Sequence, residues 1–152
     1  LALLREAKKR HIHTTIETCG HYPTDVLDQA CRVLDALIFD IKCLDSARHK
    51  KATGVGSELI LKNIGHVFEH FPELPVLIRT PVIPGFNDTE EDILGIREMI
   101  PRKANIRYEA LTYHRMGQPK YGYLGRRYEL EGVKADEAFM KRLNIMLKTY
   151  EQ

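Results

Sequence analysis

The sequence predicts an α/β fold in which helices cover a parallel sheet of about four strands. Two observations support this fold class: strand-like and helix-like segments alternate along the chain, and the segment 37–42 is apolar enough to be a strand buried on both faces. Repeated strand–helix units form parallel sheets with right-handed crossovers. The 152 residues can bury a core, so we predict a single domain over residues 1–152.

The elements of the first half follow from apolar spacing and from breaker residues. Residues 1–10 are typical of the end of a helix, because an apolar stripe runs into a basic last turn. Residues 11–17 alternate and are rich in β-branched side chains, which predicts a strand. Thr24 is predicted to cap the next helix. The strand 37–42 follows, and residues 44–56, with two glycines, are predicted to form a loop.

The second half continues the same alternation. Proline cannot donate to a strand ladder, so it is expected to end the third strand. Carboxylates near a helix start interact favourably with the helix dipole. The expected elements are a helix capped by Ser57, a strand at 76–80 that ends before Pro81, a helix capped by Asp88, a strand at 106–111, an irregular segment at 115–134 and a helix capped by Asp136.

Composition excludes several classes of function. A net charge of +2 favours neither a nucleic-acid surface nor a membrane surface, and the sequence has no run of about 18 apolar residues. These features predict a cytoplasmic protein with no nucleic-acid or membrane partner. Cys19, Cys31 and Cys43 are an odd number at wide spacing, which is typical neither of a disulfide framework nor of a metal site.

Polar and charged residues stand at the carboxyl end of each predicted strand. Asp40 and Lys42 are two residues apart, so their side chains point to the same side of strand 37–42. Ligands of parallel α/β sheets bind outside the carboxyl ends of the strands. The pair could bind a ligand, or it could be a structural ion pair at the end of a strand; the segment alone leaves both open.

The full row of strand-end residues suits a ligand that carries an amino-acid group. Carboxylates would hold an ammonium, cations a carboxylate, and an imidazole a ribose or base. No glycine-rich phosphate loop and no nucleophile beside a base is present, which excludes common nucleotide and hydrolase sites. The row consists of Glu17, Thr18, Asp40, Lys42, Arg79 and His114.

Several motifs, taken in order, resemble those of a known family. The motifs are HTTIETCG at 13–20, IFDIK at 38–42, IRTPVIPG at 78–85 with Asn87-Asp88 after it, Tyr113-His114 with Gly117, and Gly132-Val133-Lys134. The chain therefore resembles the glycyl-radical-enzyme activating enzymes of the radical S-adenosylmethionine superfamily, of which the pyruvate formate-lyase activating enzyme is the best-known member.

The resemblance implies a fold, a cofactor and roles for the row. The fold would be the C-terminal four strands of a partial (β/α)6, TIM-like barrel. Glu17 would meet the methionyl amino end of S-adenosylmethionine, and Asp40 and Lys42 would bind its ribose and carboxylate groups. His114 would lie near the adenosyl part and Arg79 near the substrate peptide. Glu17, Thr18 and Asp40 also match a site that holds a monovalent cation in some members.

The cluster motif of that family, CxxxCxxC, and its GGE motif are absent from the sequence. The chain starts with Leu1 in a helical pattern, so we expect a C-terminal fragment that is inactive alone, with the [4Fe–4S] cluster bound by a preceding part. The resemblance implies that the full-length enzyme serves anaerobic metabolism. It would cleave S-adenosylmethionine reductively and install a glycyl radical on a partner enzyme, with flavodoxin or ferredoxin as electron donor.

Two other functions remain open at this point. Lys42 could form a Schiff base in an aldolase-like barrel, although Asp40 beside it would keep the lysine protonated. The chain could also be a non-catalytic binding module. If the chain is a fragment that lacks two strands and their helices, strand 11–17 has lost its neighbour and exposes an edge, which predicts self-association of the isolated chain.

Overall fold

The computed structural model describes residues 1–150. It contains a four-stranded sheet and seven helices. In chain order these are α1 (Ala2–Lys9), β1 (Thr15–Thr18), α2 (Thr24–Cys31), β2 (Ala36–Asp40), α3 (Ser46–Thr53), α4 (Glu58–His70), β3 (Val76–Val82), α5 (Glu90–Met99), β4 (Ile106–Thr112), α6 (Gln118–Tyr123) and α7 (Glu137–Thr149).

The four strands pair in sequence order, β1-β2-β3-β4, and every pair is parallel. This confirms the predicted α/β class and the number of strands. All four carboxyl ends therefore lie at one edge of the sheet, where the predicted site residues are expected to be neighbours. None of the helices within residues 1–150 is long and apolar enough to cross a membrane.

Helices cover one face of the sheet, and the fully buried apolar side chains of the strands point to it. Leu37, Phe39 and Ile78 are fully buried there and share one core with residues of α2 and α4. A second core joins β4 to α5 and α7. Residues of the opposite face, among them Ile38 and Leu77, are half-buried and line a groove of about 1240 Å³. The strand-end side chains on that face remain accessible.

The first strand is shorter than the predicted segment 11–17. His11 has a φ of 57°, and the Ile12 N–H donates to the carbonyl of Ala7, so the chain turns out of α1 before the ladder starts. Thr14 is held outside the ladder by Asp35, which accepts from its N–H at 2.8 Å and its hydroxyl at 3.0 Å. The ladder begins only at Thr15.

The segment 44–56, predicted to be a loop, contains helix α3 at Ser46–Thr53, so the prediction is wrong for those residues. Helix α3 carries a single buried side chain, His49, so its sequence lacks an apolar stripe. Capping residues define both ends of this helix. The Asp45 side chain accepts from the Arg48 N–H at 2.9 Å at the N-terminus, and Gly54, with a φ of 88°, is the C-cap.

Strand β3 continues through Pro81 to Val82, which contradicts the predicted stop. The Arg79 carbonyl accepts from the Ile41 N–H, so the backbone groups of Arg79 point toward β2. Because this direction repeats every second residue of a strand, the backbone of Pro81 points toward β2 as well. The β2 ladder has ended at Asp40. The N–H that proline lacks is therefore not needed.

The predicted caps have mixed outcomes. Asp136 caps α7 as expected, accepting from the Phe139 N–H at 2.9 Å. Helix α5 is capped by Thr89 and not by Asp88. The hydroxyls of Thr24 and Ser57 make no cap hydrogen bond; they donate to the Asn63 side chain and to the Leu44 carbonyl.

The segment 115–134, predicted to be irregular, contains the short helix α6.

Candidate functional site

Four of the predicted residues form one network at the carboxyl edge of the sheet. We call Glu17, Asp40, Lys42 and Arg79 the edge cluster. Arg79 forms an ion pair with Glu17 through Nη2, and its Nε lies 3.5 Å from Asp40 Oδ1. Lys42 Nζ lies 3.6 Å from Asp40 Oδ2. Two carboxylates and two cations thus alternate across the ends of three neighbouring strands.

The pairing of the strands explains why these side chains meet. Asp40 is the register partner of Arg79, and Glu17 is the partner of Ile38, two residues before Asp40. Residues in register share a face, so all three point to the face that the helices leave open. The alternation that buries Phe39 on one face therefore directs Asp40 to the other.

The edge cluster is partly buried and incompletely hydrogen-bonded. The side chains of Asp40 and Arg79 are 18% and 21% exposed, whereas that of Glu17 is 53% exposed. Asp40 Oδ1 and Arg79 Nε are buried atoms that form no hydrogen bond within residues 1–150. Buried polar atoms of this kind normally have a partner. These two atoms lie 3.5 Å from each other, so they form an ion pair that lacks hydrogen-bond geometry.

Thr18 and His114 lie apart from this network. Neighbouring residues of a strand point to opposite faces, so the Thr18 side chain lies on the helix-covered side, in register with Phe39. Its hydroxyl accepts from the Gly20 N–H at 3.0 Å. His114 is exposed after β4, and its Nδ1 accepts from the Met116 N–H at 3.4 Å.

Two fully buried asparagines fix the loops around the edge cluster, and the sequence assigned a structural role to neither of them. Asn87 Nδ2 donates to the carbonyl of Lys42 at 2.7 Å and to that of Pro81 at 2.9 Å. Asn87 Oδ1 accepts from the Ile83 N–H at 2.7 Å. One amide therefore joins the end of β2 to the end of β3 and holds the backbone of Lys42.

The second asparagine, Asn63, fixes the loop after β1. Its Nδ2 donates to the carbonyls of Gly20 at 2.7 Å and Tyr22 at 2.8 Å, and its Oδ1 accepts from the Thr24 hydroxyl at 2.7 Å. Gly20 has a φ of 69°, and a side chain there would collide with the Phe39 ring. The loop after Glu17 is therefore tightly specified.

A sequence signal could have identified one of these residues. Asn63 stands among Ile60, Ile64 and Val67, at the helical spacing of the buried stripe of α4. A polar side chain on such a stripe must find buried partners. Asn87 follows a proline–glycine turn and carries no comparable periodic signal.

The described residues do not suit an iron–sulfur cluster. The three cysteines are free and occupy separate parts of the fold: Cys19 is exposed, whereas Cys31 and Cys43 are buried. Burial raises the pKa of the Cys31 thiol to about 11, which disfavours the thiolate that binds metal. Within residues 1–150 there is also no group of three or more histidine, cysteine and acidic side chains that could hold a metal ion.

Known proteins resemble this chain along its whole length. It is 97% identical over 152 residues to a (2S)-3-sulfopropanediol sulfolyase activating enzyme of Bilophila wadsworthia, covering 100% of the chain and 50% of that protein. It is 46% identical over 147 residues to an isethionate sulfite-lyase activating enzyme of Nitratidesulfovibrio vulgaris, covering 97% and 48%. These matches confirm the resemblance to the glycyl-radical-enzyme activating enzymes.

The fold comparison agrees. A crystal structure of a domain of pyruvate-formate lyase-activating enzyme from Bacteroides vulgatus matches with a TM-score of 0.73 and 25% identity, covering 98% of this chain and 83% of that one. This similarity supports the barrel-like arrangement of the sheet. The chain spans about half the length of the curated relatives it matches. No protein-family model matches the sequence.

Proposed function

We propose that residues 1–152 are the C-terminal portion of a longer radical S-adenosylmethionine enzyme that installs a glycyl radical on a (2S)-3-sulfopropanediol sulfolyase. The observation that carries this proposal is the 97% identity over all 152 residues to an activating enzyme for that sulfolyase. The arrangement of the edge cluster supports it, because the cluster offers both signs of charge to one ligand at the carboxyl edge of the sheet.

The edge cluster suits the polar groups of S-adenosylmethionine. In our proposal the Glu17 carboxylate accepts from the methionyl ammonium, and the Lys42 ammonium donates to the ligand carboxylate or to a ribose hydroxyl. The Asp40 carboxylate, whose side chain is 18% exposed, accepts from the ribose. His114, exposed at the end of β4, contacts the adenosyl part.

Arg79 holds the cluster together before the ligand binds. Its guanidinium pairs with Glu17 and lies next to Asp40, so it neutralises the two carboxylates that the ligand would use. Contact of Arg79 with the substrate peptide would then require this pairing to loosen as the ligand binds. Glu17 and Asp40 could also hold a monovalent cation; Thr18 would have to contribute through its backbone carbonyl, since its hydroxyl faces the other side.

The [4Fe–4S] cluster would be held by a part of the enzyme outside residues 1–152. It would supply the electron for the reductive cleavage of S-adenosylmethionine, with a protein such as flavodoxin or ferredoxin as the electron donor. The residues of this chain bind and orient the ligand at the carboxyl edge of the sheet. We propose a cytoplasmic location for the complete enzyme.

Activation of the partner tests this function. The complete protein, produced without oxygen and reconstituted with iron and sulfide, is mixed with the sulfolyase, S-adenosylmethionine and a reductant. We expect a glycyl radical signal by electron paramagnetic resonance and formation of 5′-deoxyadenosine. A reconstituted enzyme that gives neither product would contradict the proposal. Sequencing of the codons before Leu1 gives a second test, because CxxxCxxC and GGE motifs are expected there.

The Schiff-base alternative is less well supported. Lysines that form Schiff bases lie in hydrophobic pockets or beside another cation. Lys42 Nζ instead lies 3.6 Å from the Asp40 carboxylate. Borohydride treatment of the protein with pyruvate should therefore give no covalent adduct at Lys42. An adduct detected by mass spectrometry would favour an aldolase-like reaction.

The isolated 152-residue chain is expected to self-associate. Strand β1 is an edge strand of the sheet, and the face that carries Ile38 and Leu77 is not covered by helices. Unpaired strand edges and bare apolar surface both recruit other chains. Light scattering should show oligomers that the complete protein does not form. A monomer at high concentration would contradict this expectation.

A further inference from the structure

The chain that follows β4 presents an exposed surface that is both basic and aromatic. We call residues 113–128 the post-β4 segment. It carries four cationic side chains and no acidic one, and all four are exposed: Arg115, Lys120, Arg126 and Arg127. None of the four forms a salt bridge in the described part of the chain. The nearest acids in sequence are Glu109 and Glu129.

The same segment concentrates exposed apolar groups. Nine large apolar side chains of residues 1–150 are exposed, and four of them lie here. Tyr123 is 86% exposed, Met116 79%, Leu124 67% and Tyr121 39%. Scattered apolar residues on a surface are ordinary, whereas a group of them marks an interaction site. Tyrosine, methionine and arginine are also the residues that protein interfaces favour.

The segment is folded and is attached to the sheet edge that carries the candidate site. The hydroxyls of Tyr113 and Tyr128 are hydrogen-bonded, and the rings of Tyr121 and Tyr128 pack edge to face with centroids 4.9 Å apart. The Arg126 N–H donates to the Tyr121 carbonyl at 2.8 Å. Tyr113 directly follows β4, so these contacts connect the exposed surface to the carboxyl end of that strand.

We infer that the post-β4 segment is a docking surface for the substrate protein, and that it binds an acidic patch with apolar groups at its centre. This inference rests on the proposed function, in which a protein must approach the carboxyl edge of the sheet. The unpaired cations predict a negatively charged partner, because charge complementarity speeds and orients association. The exposed tyrosines and Leu124 supply the apolar contacts that charges alone lack.

The inference can be tested with charge reversal and apolar truncation in the complete protein. The variants are Arg126→Glu/Arg127→Glu and Tyr123→Ser/Leu124→Ser, and affinity for the (2S)-3-sulfopropanediol sulfolyase is measured by interferometry. Matched controls are Lys141→Glu/Lys148→Glu and Ile145→Ser, which change exposed residues of α7.

Each docking variant should weaken sulfolyase binding at least about tenfold, and the charge reversal should reduce the dependence of affinity on salt. Binding of S-adenosylmethionine by calorimetry should be unchanged, which shows that the variants fold. The controls should bind the sulfolyase as the unsubstituted protein does.

Two outcomes separate failure of the inference from failure of the proposed function. Unsubstituted protein that binds the sulfolyase, with both docking variants binding equally well, would overturn the inference alone. Unsubstituted protein that neither binds nor activates the sulfolyase would overturn the proposed function. Docking variants that lose binding of a single-stranded oligonucleotide but keep sulfolyase binding would also overturn the inference, because basic and aromatic residues can bind nucleic acid.

Discussion

The loops after β1, β2 and β3 and the segment after β4 leave the same edge of the sheet but are held in opposite ways. Asn63 and Asn87 are 0% exposed, and each bonds to two carbonyls and one donor of the strand-end loops. The post-β4 segment is held mainly by its own tyrosines, with its cations and apolar groups exposed. A ligand site needs fixed positions, whereas a docking surface needs accessible ones.

The edge cluster gains precision from this anchoring. Lys42 lies just beyond the β2 ladder, so strand pairing does not hold its backbone. The Asn87 amide fixes the Lys42 backbone instead, by donating to the Lys42 carbonyl. Thr80, also fully buried, donates its hydroxyl to the Ile41 carbonyl at 2.8 Å and adds a second attachment. The anchors on the helix-covered side thus set the side chains on the open side.

The largest expected effect is on the anchor itself. Asn87→Ala should lower the free energy of unfolding by about 2–4 kcal/mol, because two carbonyls and one N–H are left without a partner in a buried place. Chemical denaturation of the complete protein measures this. Asn144→Ala, at an exposed position of α7, is the matched control and should change stability by less than about 0.5 kcal/mol. Equal small losses for both variants would mean that Asn87 is not an anchor.

The next effect is on ligand binding by the anchored cluster. Lys42→Ala should weaken binding of S-adenosylmethionine by about 1.5–3 kcal/mol, since a charge-assisted hydrogen bond is lost. Asp40→Asn should weaken binding in the same direction. Iron content measured beside calorimetry should be unchanged in both variants. If both bind the ligand normally, the Asp40–Lys42 pair is structural, which is the alternative that the sequence left open.

The sequence predicted the parts of this edge that follow from periodicity. Glu17, Asp40 and Arg79 were identified because they stand at the ends of apolar, alternating strands, and the parallel sheet then brings them together. The extension of β3 through Pro81 was missed because it depends on where the neighbouring β2 ladder ends. The pairing of Arg79 with Glu17 was missed for a similar reason, as it depends on side-chain conformations across 62 residues.

The helix α3 and the anchors show a second limit of the sequence. Helix α3 has no apolar stripe and is defined by Asp45 at one end and Gly54 at the other, both of which also suit loops. The role of Asn87 depends on the turn after β3, which brings its side chain to the Lys42 carbonyl. Long-range polar contacts of single residues carry no repeating pattern, so spacing alone does not reveal them.

A third prediction concerns the opposite end of the sheet, where Asp35 anchors the start of β1. Lys8 donates to the Asp35 carboxylate, and this hydrogen bond, with that from the Thr14 N–H, holds the pKa of Asp35 well below its usual range. A carboxyl whose pKa is lowered by folding stabilises the fold above its unfolded pKa of about 3.9. That contribution is lost as the pH falls through the folded pKa.

Asp35→Asn should therefore destabilise the protein at pH 7, and the difference from the unsubstituted protein should shrink as the pH falls below about 4. Denaturation at a series of pH values measures the trend. Asp88→Asn, which changes an exposed aspartate, is the comparison variant for this pH series. A difference that is constant with pH would indicate that the Asp35 carboxylate charge does not contribute.

The smallest effect is expected in the post-β4 segment, and it tests the contrast directly. Tyr113→Phe removes the hydrogen bond that ties Tyr128 to the end of β4. That bond is worth about 0.5–1.5 kcal/mol, but only the local opening of the segment depends on it. We therefore expect faster hydrogen exchange at the Arg126 N–H, which donates to Tyr121, and an unchanged midpoint of global unfolding. Tyr123→Phe is the control, because Tyr123 is 86% exposed. If Tyr113→Phe instead lowered global stability as much as Asn87→Ala does, the segment would be as integral to the fold as the anchored loops, and the contrast between the two regions would not hold.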